Sequence, residues 1–191
     1  MYNKEYYQSN NYKNYSEREN KYKKLGIELN DILHKIGLIE DKSIIIDYGC
    51  GFGFLSTAFL DLGYKNTYSY DISKYAEKIA KNKGCNWIED NNFNSDILIV
   101  LDVFEHMTDD EINEFFKKSD SDVMIARIPV ADFSENDFYL EVSKADKTHI
   151  NCKDKNGWKE FFIKQGYKNF LSLNLLTIYD TTGVFCFIAL K

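Results

Sequence analysis

Asp47 opens the run D-Y-G-C-G-F-G, in which Gly49, Gly51 and Gly53 alternate with larger residues directly after an apolar Ile44–Ile46 stretch. Glycine adopts positive φ and lets a ligand approach the main chain, so three of them at a strand end read as a binding loop rather than a plain turn. Where such a loop leads into a helix, unpaired amides and the positive end of the helix dipole attract a polar ligand. A second acid, Asp71, follows 20 positions past Gly51, where it can accept hydrogen bonds from a ribose diol or, before Ser73, serve as a capping acid. Proton transfer near neutral pH falls most readily to imidazole, and the chain has three histidines. His34 lies near the end of a helical stretch, where a helix-end role accounts for it. His106 closes D-V-F-E-H, and His149 sits in D-K-T-H-I-N-C beside Asp146, Thr148 and Asn151. His149 is the expected general base, ahead of His106. Glu105 and His106 read equally well as groups that cap the chain after a strand.

The elements that must carry these residues alternate. Residues 1–15, rich in Asn, Lys and Tyr without a period, are expected as a loose arm. Ser16 begins S-E-R-E, a capping box, and apolar residues at helical spacing predict a helix over 16–37. Strand-like and helix-like stretches then follow one another, including D-I-L-I-V-L at 96–101, whose unbroken apolar character marks a buried strand, and a second capping box, T-D-D-E, at 108–111. Such alternation implies a Rossmann-like, doubly wound α/β fold with a mostly parallel seven-stranded sheet and helices on both faces. Near the end, two strand-like stretches meet through D-T-T-G without an intervening helix, so the sheet is expected to finish on a reversed strand. Residues 16–191 thus form one domain, with 129–156 as a substrate-side loop.

Two ligand classes use a glycine loop of this kind. The dinucleotide fingerprint is G-x-G-x-x-G, whereas this chain carries D-x-G-x-G-x-G. Taken with Y-S-Y-D-I-S and D-I-L-I-V-L-D-V-F-E-H-M, the loop resembles class I S-adenosylmethionine-dependent methyltransferases over roughly residues 43–130. The resemblance implies S-adenosyl-L-methionine as cofactor and S-adenosyl-L-homocysteine as product. It places Gly49, Gly51 and Gly53 against the methionine portion, with Asp47, Tyr48 and Cys50 in the same loop, Asp71 on the ribose and Ile72 on the adenine. Asp90 or Asn91 would lie near the adenine amino group, and Leu101, Asp102 and His106 would border the sulfonium. Cys50 is read as a small filler rather than a nucleophile, since nothing nearby in sequence lowers its pKa.

The motifs D-V-F-E-H, D-K-T-H-I-N and G-W-K-E-F-F are similar to those of small-molecule methyltransferases. That likeness implies a small-molecule acceptor, a sugar or nucleotide-sugar hydroxyl among the options, with Arg127, His149 and Asn151 as substrate-binding residues. Arg127 has two readings, a partner for an acceptor phosphate or carboxylate and a partner for Asp102. Tyr12, Tyr15, Tyr22 and Arg18 either fold over the cofactor or only pack. Methyl transfer from a sulfonium is an in-line displacement, which requires no metal. Two other functions stay open: a non-catalytic module that binds the cofactor, and an NAD-dependent oxidoreductase, which the glycine spacing disfavours.

Composition bounds these readings. The 191 residues are 44% hydrophobic and 16% aromatic, enough for one substantial core. A formal charge of −6 and a pI near 5.2 disfavour a nonspecific nucleic-acid binder. Four cysteines without a CxxC pair are expected as free thiols of a reducing compartment. No apolar run reaches the ~20 residues of a membrane helix, so a soluble cytoplasmic protein with no membrane partner is expected. Oligomeric state and acceptor atom are not legible in these residues.

Overall fold

The computed structural model describes residues 2–8, 14–90, 92–132, 137–178 and 182–191. Five parallel strands come first: β1 (Ile45–Tyr48), β2 (Thr67–Tyr70), β3 (Asn86–Trp87), β4 (Phe93–Leu101) and β5 (Ser119–Pro129). They are followed by β6 (Asn169–Ser172) and β7 (Val184–Leu190), and β7 runs antiparallel to both β5 and β6. The resulting seven-stranded sheet has the order β3-β2-β1-β4-β5-β7-β6, the mostly parallel Rossmann-like architecture with a reversed final strand that the alternation implied.

Strand residues divide strictly between two cores, because neighbouring side chains point to opposite faces. Ile46, Leu98, Val100, Met124, Ala126 and Phe187 face one layer, packed under Phe104, Phe115, Trp158 and Phe162. The alternate residues Ile45, Ile97, Ile99, Ile125 and Ile188 face the other, where Leu25, Leu29, Leu33 and Phe59 cover them. Helices α4 (Asp109–Lys118) and α6 (Lys155–Lys164) therefore occupy the first face, and α1 (Glu19–Lys35) and α2 (Phe54–Asp61) the second. Burial on both faces explains why the central strands read as unbroken apolar runs.

Some helix starts follow local side-chain chemistry and others do not. Thr108 and Glu111 form the reciprocal capping box of α4, and Ser73 accepts from the Ala76 amide to start α3 (Lys74–Asn82). Ser16 caps nothing: Tyr15–Glu17 is a 3-10 turn, and α1 starts at Glu19 with Arg18 in the cap position. The segment expected as an arm carries Tyr7 and Tyr15 in buried positions, each with its ring 4.9 Å from that of Phe52. Tyrosines packed on a fixed aromatic surface need no helical period, so their burial leaves no periodic mark in the sequence. The 129–156 stretch contains the short helix α5 (Glu141–Ala145) and a bridge between Ala131 and Phe138. No helix among the described residues is long and apolar enough to cross a membrane.

Candidate active site

A cavity of about 810 Å³ opens at the carboxyl edge of β1, β2, β4 and β5, where open α/β sheets bind their ligands. Its floor is the loop between β1 and α2. Gly49, Gly51 and Gly53 all have positive φ, and each is closely covered: an added Cβ would lie 2.3 Å from Val103 Cγ2, 2.3 Å from Tyr15 Oη and 2.5 Å from Cys85 Sγ, respectively. Gly49 and Gly51 line the cavity, whereas Gly53 packs α2 against α3 through Ala80 and Cys85. The loop amides are not bare, contrary to expectation. Gly49 and Cys50 donate to the Tyr70 carbonyl at 2.8 and 3.0 Å, Gly53 donates to the Cys50 carbonyl, and Gly51 donates to Asp71 Oδ2 at 2.8 Å. Parallel pairing of β1 with β2 brings the Tyr70 carbonyl and the Asp71 side chain over the loop, and this consumes the donors.

Asp71 also accepts from the Ser73 amide at 2.8 Å, which joins the cavity wall to the start of α3. Burial pushes its carboxyl up to about 6, against hydrogen bonds from Ser73, Gly51 and the Tyr7 hydroxyl. Asp47, buried at the end of β1, accepts from Ser56 Oγ at 2.6 Å, and burial likewise raises it to about 6. Tyr48 stacks on Tyr70 with ring centroids 4.9 Å apart. Cys50 is buried and its thiol pKa is driven well up, which fits a filler. Ile72 is 71% exposed at the cavity rim, an apolar surface open to a planar ring. Asp90 is exposed, turns back to accept from the Asn92 amide and does not line the cavity, while Asn91 lies outside the described residues.

The opposite wall comes from the end of β4 and from the 129–156 loop. Leu101, Asp102, Glu105, His106, Arg127 and His149 all line it. Arg127 and Asp102 form a bidentate pair through Nη1, with the contact to Oδ2 at 2.6 Å, and the carboxylate raises the guanidinium pKa. Of the two readings of Arg127, the partner of Asp102 is the one the fold adopts. Asp102 takes φ 56°, an unusual left-handed conformation for a residue other than glycine.

The 149–151 stretch is tied down by two amides, Ile150 and Asn151, that both donate to the Glu105 carbonyl at 2.8 and 3.0 Å. This turns the His149 ring inward, 4.6 Å from that of His106. Asn151 points away from the cavity and donates to the Met107 carbonyl at 2.9 Å and to Asp109 Oδ1 at 2.8 Å, so it fastens the loop to α4. Burial lowers the pKa of both His106 and His149, and the two rings are neutral at pH 7. The sequence reading passed over Glu105 as a site residue, although the E-H pair at a strand end was its signal. It also gave no place in the cavity to Tyr2, Tyr6 and Tyr7, which line it together with Tyr15. Tyr12 lies outside the described residues.

A sequence model of the ribosomal protein L11 methyltransferase (PrmA) family matches residues 27–145, more than half of the chain. The chain belongs to this family. The matched span runs from α1 through the glycine loop, Asp71, Asp102 and Arg127 to the end of α5. A ribosomal protein L11 methyltransferase of Acinetobacter baumannii strain AYE is 36% identical over 90 residues, 47% of this chain and 26% of the relative. The counterpart from strain SDF is 35% identical over 85 residues, 44% of this chain and 25% of its own length. The chain therefore spans about a quarter of the length of these curated relatives.

Two solved structures share the fold. The magnesium protoporphyrin IX methyltransferase of Synechocystis PCC 6803 with bound SAH superposes with a TM-score of 0.62 at 18% identity, covering 90% of this chain and 84% of the other. A SAM-dependent methyltransferase from Archaeoglobus fulgidus gives 0.57 at 16% identity, covering 87% and 94%. S-adenosylmethionine is the expected cofactor and agrees with PrmA membership, which also sets aside the oxidoreductase reading. The small-molecule expectation is corrected: the PrmA description and the curated relatives name a ribosomal protein, not a sugar, nucleotide sugar or other small molecule, as what is methylated. Of the motifs that carried that expectation, D-V-F-E-H and D-K-T-H-I-N bring Glu105, His106, Asp146 and His149 to the cavity wall, whereas G-W-K-E-F-F lies in α6 with Trp158, Phe161 and Phe162 packed into the core, so it has no contact with an acceptor to report.

Proposed function

We propose that this chain is an S-adenosylmethionine-dependent methyltransferase whose acceptor is a protein of the ribosomal protein L11 type. The PrmA match across the elements that build the cavity carries the reading. A cytoplasmic location accompanies it, since ribosomal proteins are made and used there.

The cavity fits the cofactor in chemistry and in size. Its volume of about 810 Å³ lies within the range of cofactor sites, about 300–1,000 Å³. Gly49 and Gly51 bring the main chain to the cavity floor without side chains of their own, Asp71 offers a carboxylate to a ribose diol, and Ile72 offers an apolar face to the adenine. Tyr2, Tyr6, Tyr7 and Tyr15 add aromatic surface to the cavity lining. When bound, the cofactor supplies a methyl group on a sulfonium, an electrophile that needs no further activation. The chain must then orient a nucleophile and relieve it of its proton.

His149 is the proposed proton acceptor, with His106 as its neighbour. Burial holds both rings neutral, so a lone pair is available at pH 7. The Asp102–Arg127 pair keeps the end of β4 and the end of β5 in fixed register beside the histidines. Methyl transfer from labelled S-adenosylmethionine to purified ribosomal protein L11 tests the proposal. Label on L11 with the wild-type chain and none with a Gly51→Val variant is the expected result. Cofactor binding without labelling of L11 or of any protein in a ribosomal extract would overturn the assigned activity and leave a binding module.

A further inference from the structure

Glu105 is fully buried at the cavity wall, and among the described residues neither of its carboxylate oxygens accepts a hydrogen bond from another residue. An ionised carboxylate in that position lacks several kcal/mol of compensation. Protonation does not resolve the matter, because a carboxylic acid carries an O–H that also needs an acceptor. The Arg127 guanidinium is engaged by Asp102 through Nη1 and, although its buried Nε has no partner among the described residues, gives Glu105 no hydrogen bond, while Asp102 and Asp146 add negative charge nearby. What completes such a group is a cation held by ligands of its own.

Two such ligands stand beside it. One carboxylate oxygen of Glu105 and one ring nitrogen from each of His106 and His149 lie within 4.8 Å of one another. Three donors at the corners of such a triangle are at most about 2.8 Å from its centre, so bonds of about 2.1 Å need movements of about 0.7 Å or less. The protonation states suit ligation. His106 Nδ1 lies 3.2 Å from the Thr148 carbonyl, which can only accept, and 2.9 Å from Thr148 Oγ1, whose own hydroxyl donates to Asp146 Oδ1 at 2.6 Å. Nδ1 therefore carries the hydrogen and Nε2 keeps the lone pair. A hydrogen-bonded chain that runs from imidazole through a hydroxyl to a carboxylate is the outer shell that orients metal-binding histidines. His149 Nδ1 is buried and without a hydrogen-bond partner among the described residues. The Ile150 and Asn151 amides on the Glu105 carbonyl hold the two halves of the cluster together before any ligand arrives.

We propose that Glu105, His106 and His149 bind one divalent first-row transition cation at the cavity wall, with its remaining coordination positions open to the cavity. Two imidazoles and one carboxylate favour Zn²⁺, Fe²⁺, Co²⁺ or Mn²⁺ over Mg²⁺ or Ca²⁺. PrmA membership does not assign the site, since His149 lies beyond the matched span of residues 27–145. Metal binding stands on the side chains alone; only the use of the open positions rests on the methyltransferase reading. There, a hydroxyl oxygen of the acceptor would be ligated through one lone pair and keep the other for attack, its proton passing to solvent in the cavity; His149 is the proton acceptor only when no cation is bound.

The test is metal titration of the full chain after chelator treatment. Co²⁺ absorption and calorimetry with Zn²⁺ and Mn²⁺ read binding, and S-adenosylmethionine affinity is measured on the same samples. One equivalent of cation bound at micromolar or lower Kd is expected, with imidazole-dependent Co²⁺ bands. Glu105→Gln and His149→Asn should each weaken binding by at least tenfold, while circular dichroism and cofactor affinity stay near wild type. Should either variant unfold, His106→Asn read by the Co²⁺ bands serves in its place. A folded wild-type chain that binds S-adenosylmethionine but takes up no cation at millimolar concentration overturns the inference, as does binding indifferent to all three substitutions. Uptake of one cation without methylation of any protein would uphold the site and defeat the methyltransferase reading alone.

Discussion

Gly51→Ala places one methyl group where the cavity floor has no room for it. At φ 55° a side chain costs about 1–2 kcal/mol in left-handed backbone strain. The new Cβ also falls 2.3 Å from Tyr15 Oη and 3.1 Å from its Cζ, so the tyrosine must move. Tyr15 is 7% exposed and packs its ring against Phe52 and Phe54, and overpacking of this kind costs about 1–3 kcal/mol. Together these predict a loss of about 2–5 kcal/mol, which for a chain of this size lowers Tm by about 4–20 °C. Calorimetric titration should show S-adenosylmethionine affinity falling as well, because Gly51 and Tyr15 both line the cavity. Tyr15→Phe removes the atom at 2.3 Å and leaves the contact at 3.1 Å, so the double variant should regain part of the loss. A Gly51→Ala protein with unchanged Tm and affinity would refute the reasoning. So would strict additivity of the two substitutions, since residues in contact couple.

Asp47 makes a pH-dependent contribution whose sign is opposite to that of a salt-bridged carboxylate. Its folded pKa of about 6 lies above the ordinary 3.8, so stability is greatest below 3.8, falls as pH rises through about 6 and is constant above that. Asp47→Asn, which keeps an acceptor for Ser56, should be more stable than the parent at pH 7.5 by up to about 3 kcal/mol, with the gain shrinking toward pH 4; urea unfolding at four pH values measures this, and a variant no more stable at pH 7.5 contradicts it. Asp102→Ala leaves the largely buried Arg127 without its carboxylate and should cost about 1–3 kcal/mol, discounted for the 40% exposure of Asp102. Equal denaturation midpoints would show that solvent already replaces the pair. His149→Ala should lower turnover by about 10²-fold or more while S-adenosylmethionine affinity changes little, and wild-type rates across pH 6–9 would remove His149 from the mechanism.

Much of this architecture is written locally. The unbroken apolar strands and the Thr108–Glu111 box each depend on residues adjacent in sequence, and pattern alone yields a parallel sheet with a reversed last strand, although β6 ends at Ser172 rather than running up to D-T-T-G, the first half of which lies outside the described residues. The acid-led glycine loop and Asp71 were legible for the same reason: strand, loop and helix follow one another, and parallel pairing brings the end of β2 beside them. Other features depend on what crosses over them in space. The loop amides look available in sequence, yet the Tyr70 carbonyl and Asp71 occupy most of them. Tyr7 and Tyr15 carry no periodic signal, and only the finished surface of Phe52 and Phe54 gives them a place to pack.

His149 and Asn151 show the division most clearly. Sequence places them in one polar cluster and cannot say which way either points. Two amides bonded to the Glu105 carbonyl decide it, turning His149 toward Glu105 and His106 and sending Asn151 to α4. Periodicity and turn chemistry act over a few neighbouring residues and therefore survive in the sequence. The meeting of Glu105 with His149 depends on long-range main-chain hydrogen bonds, which any residue type can make and which leave no trace in the pattern of side chains.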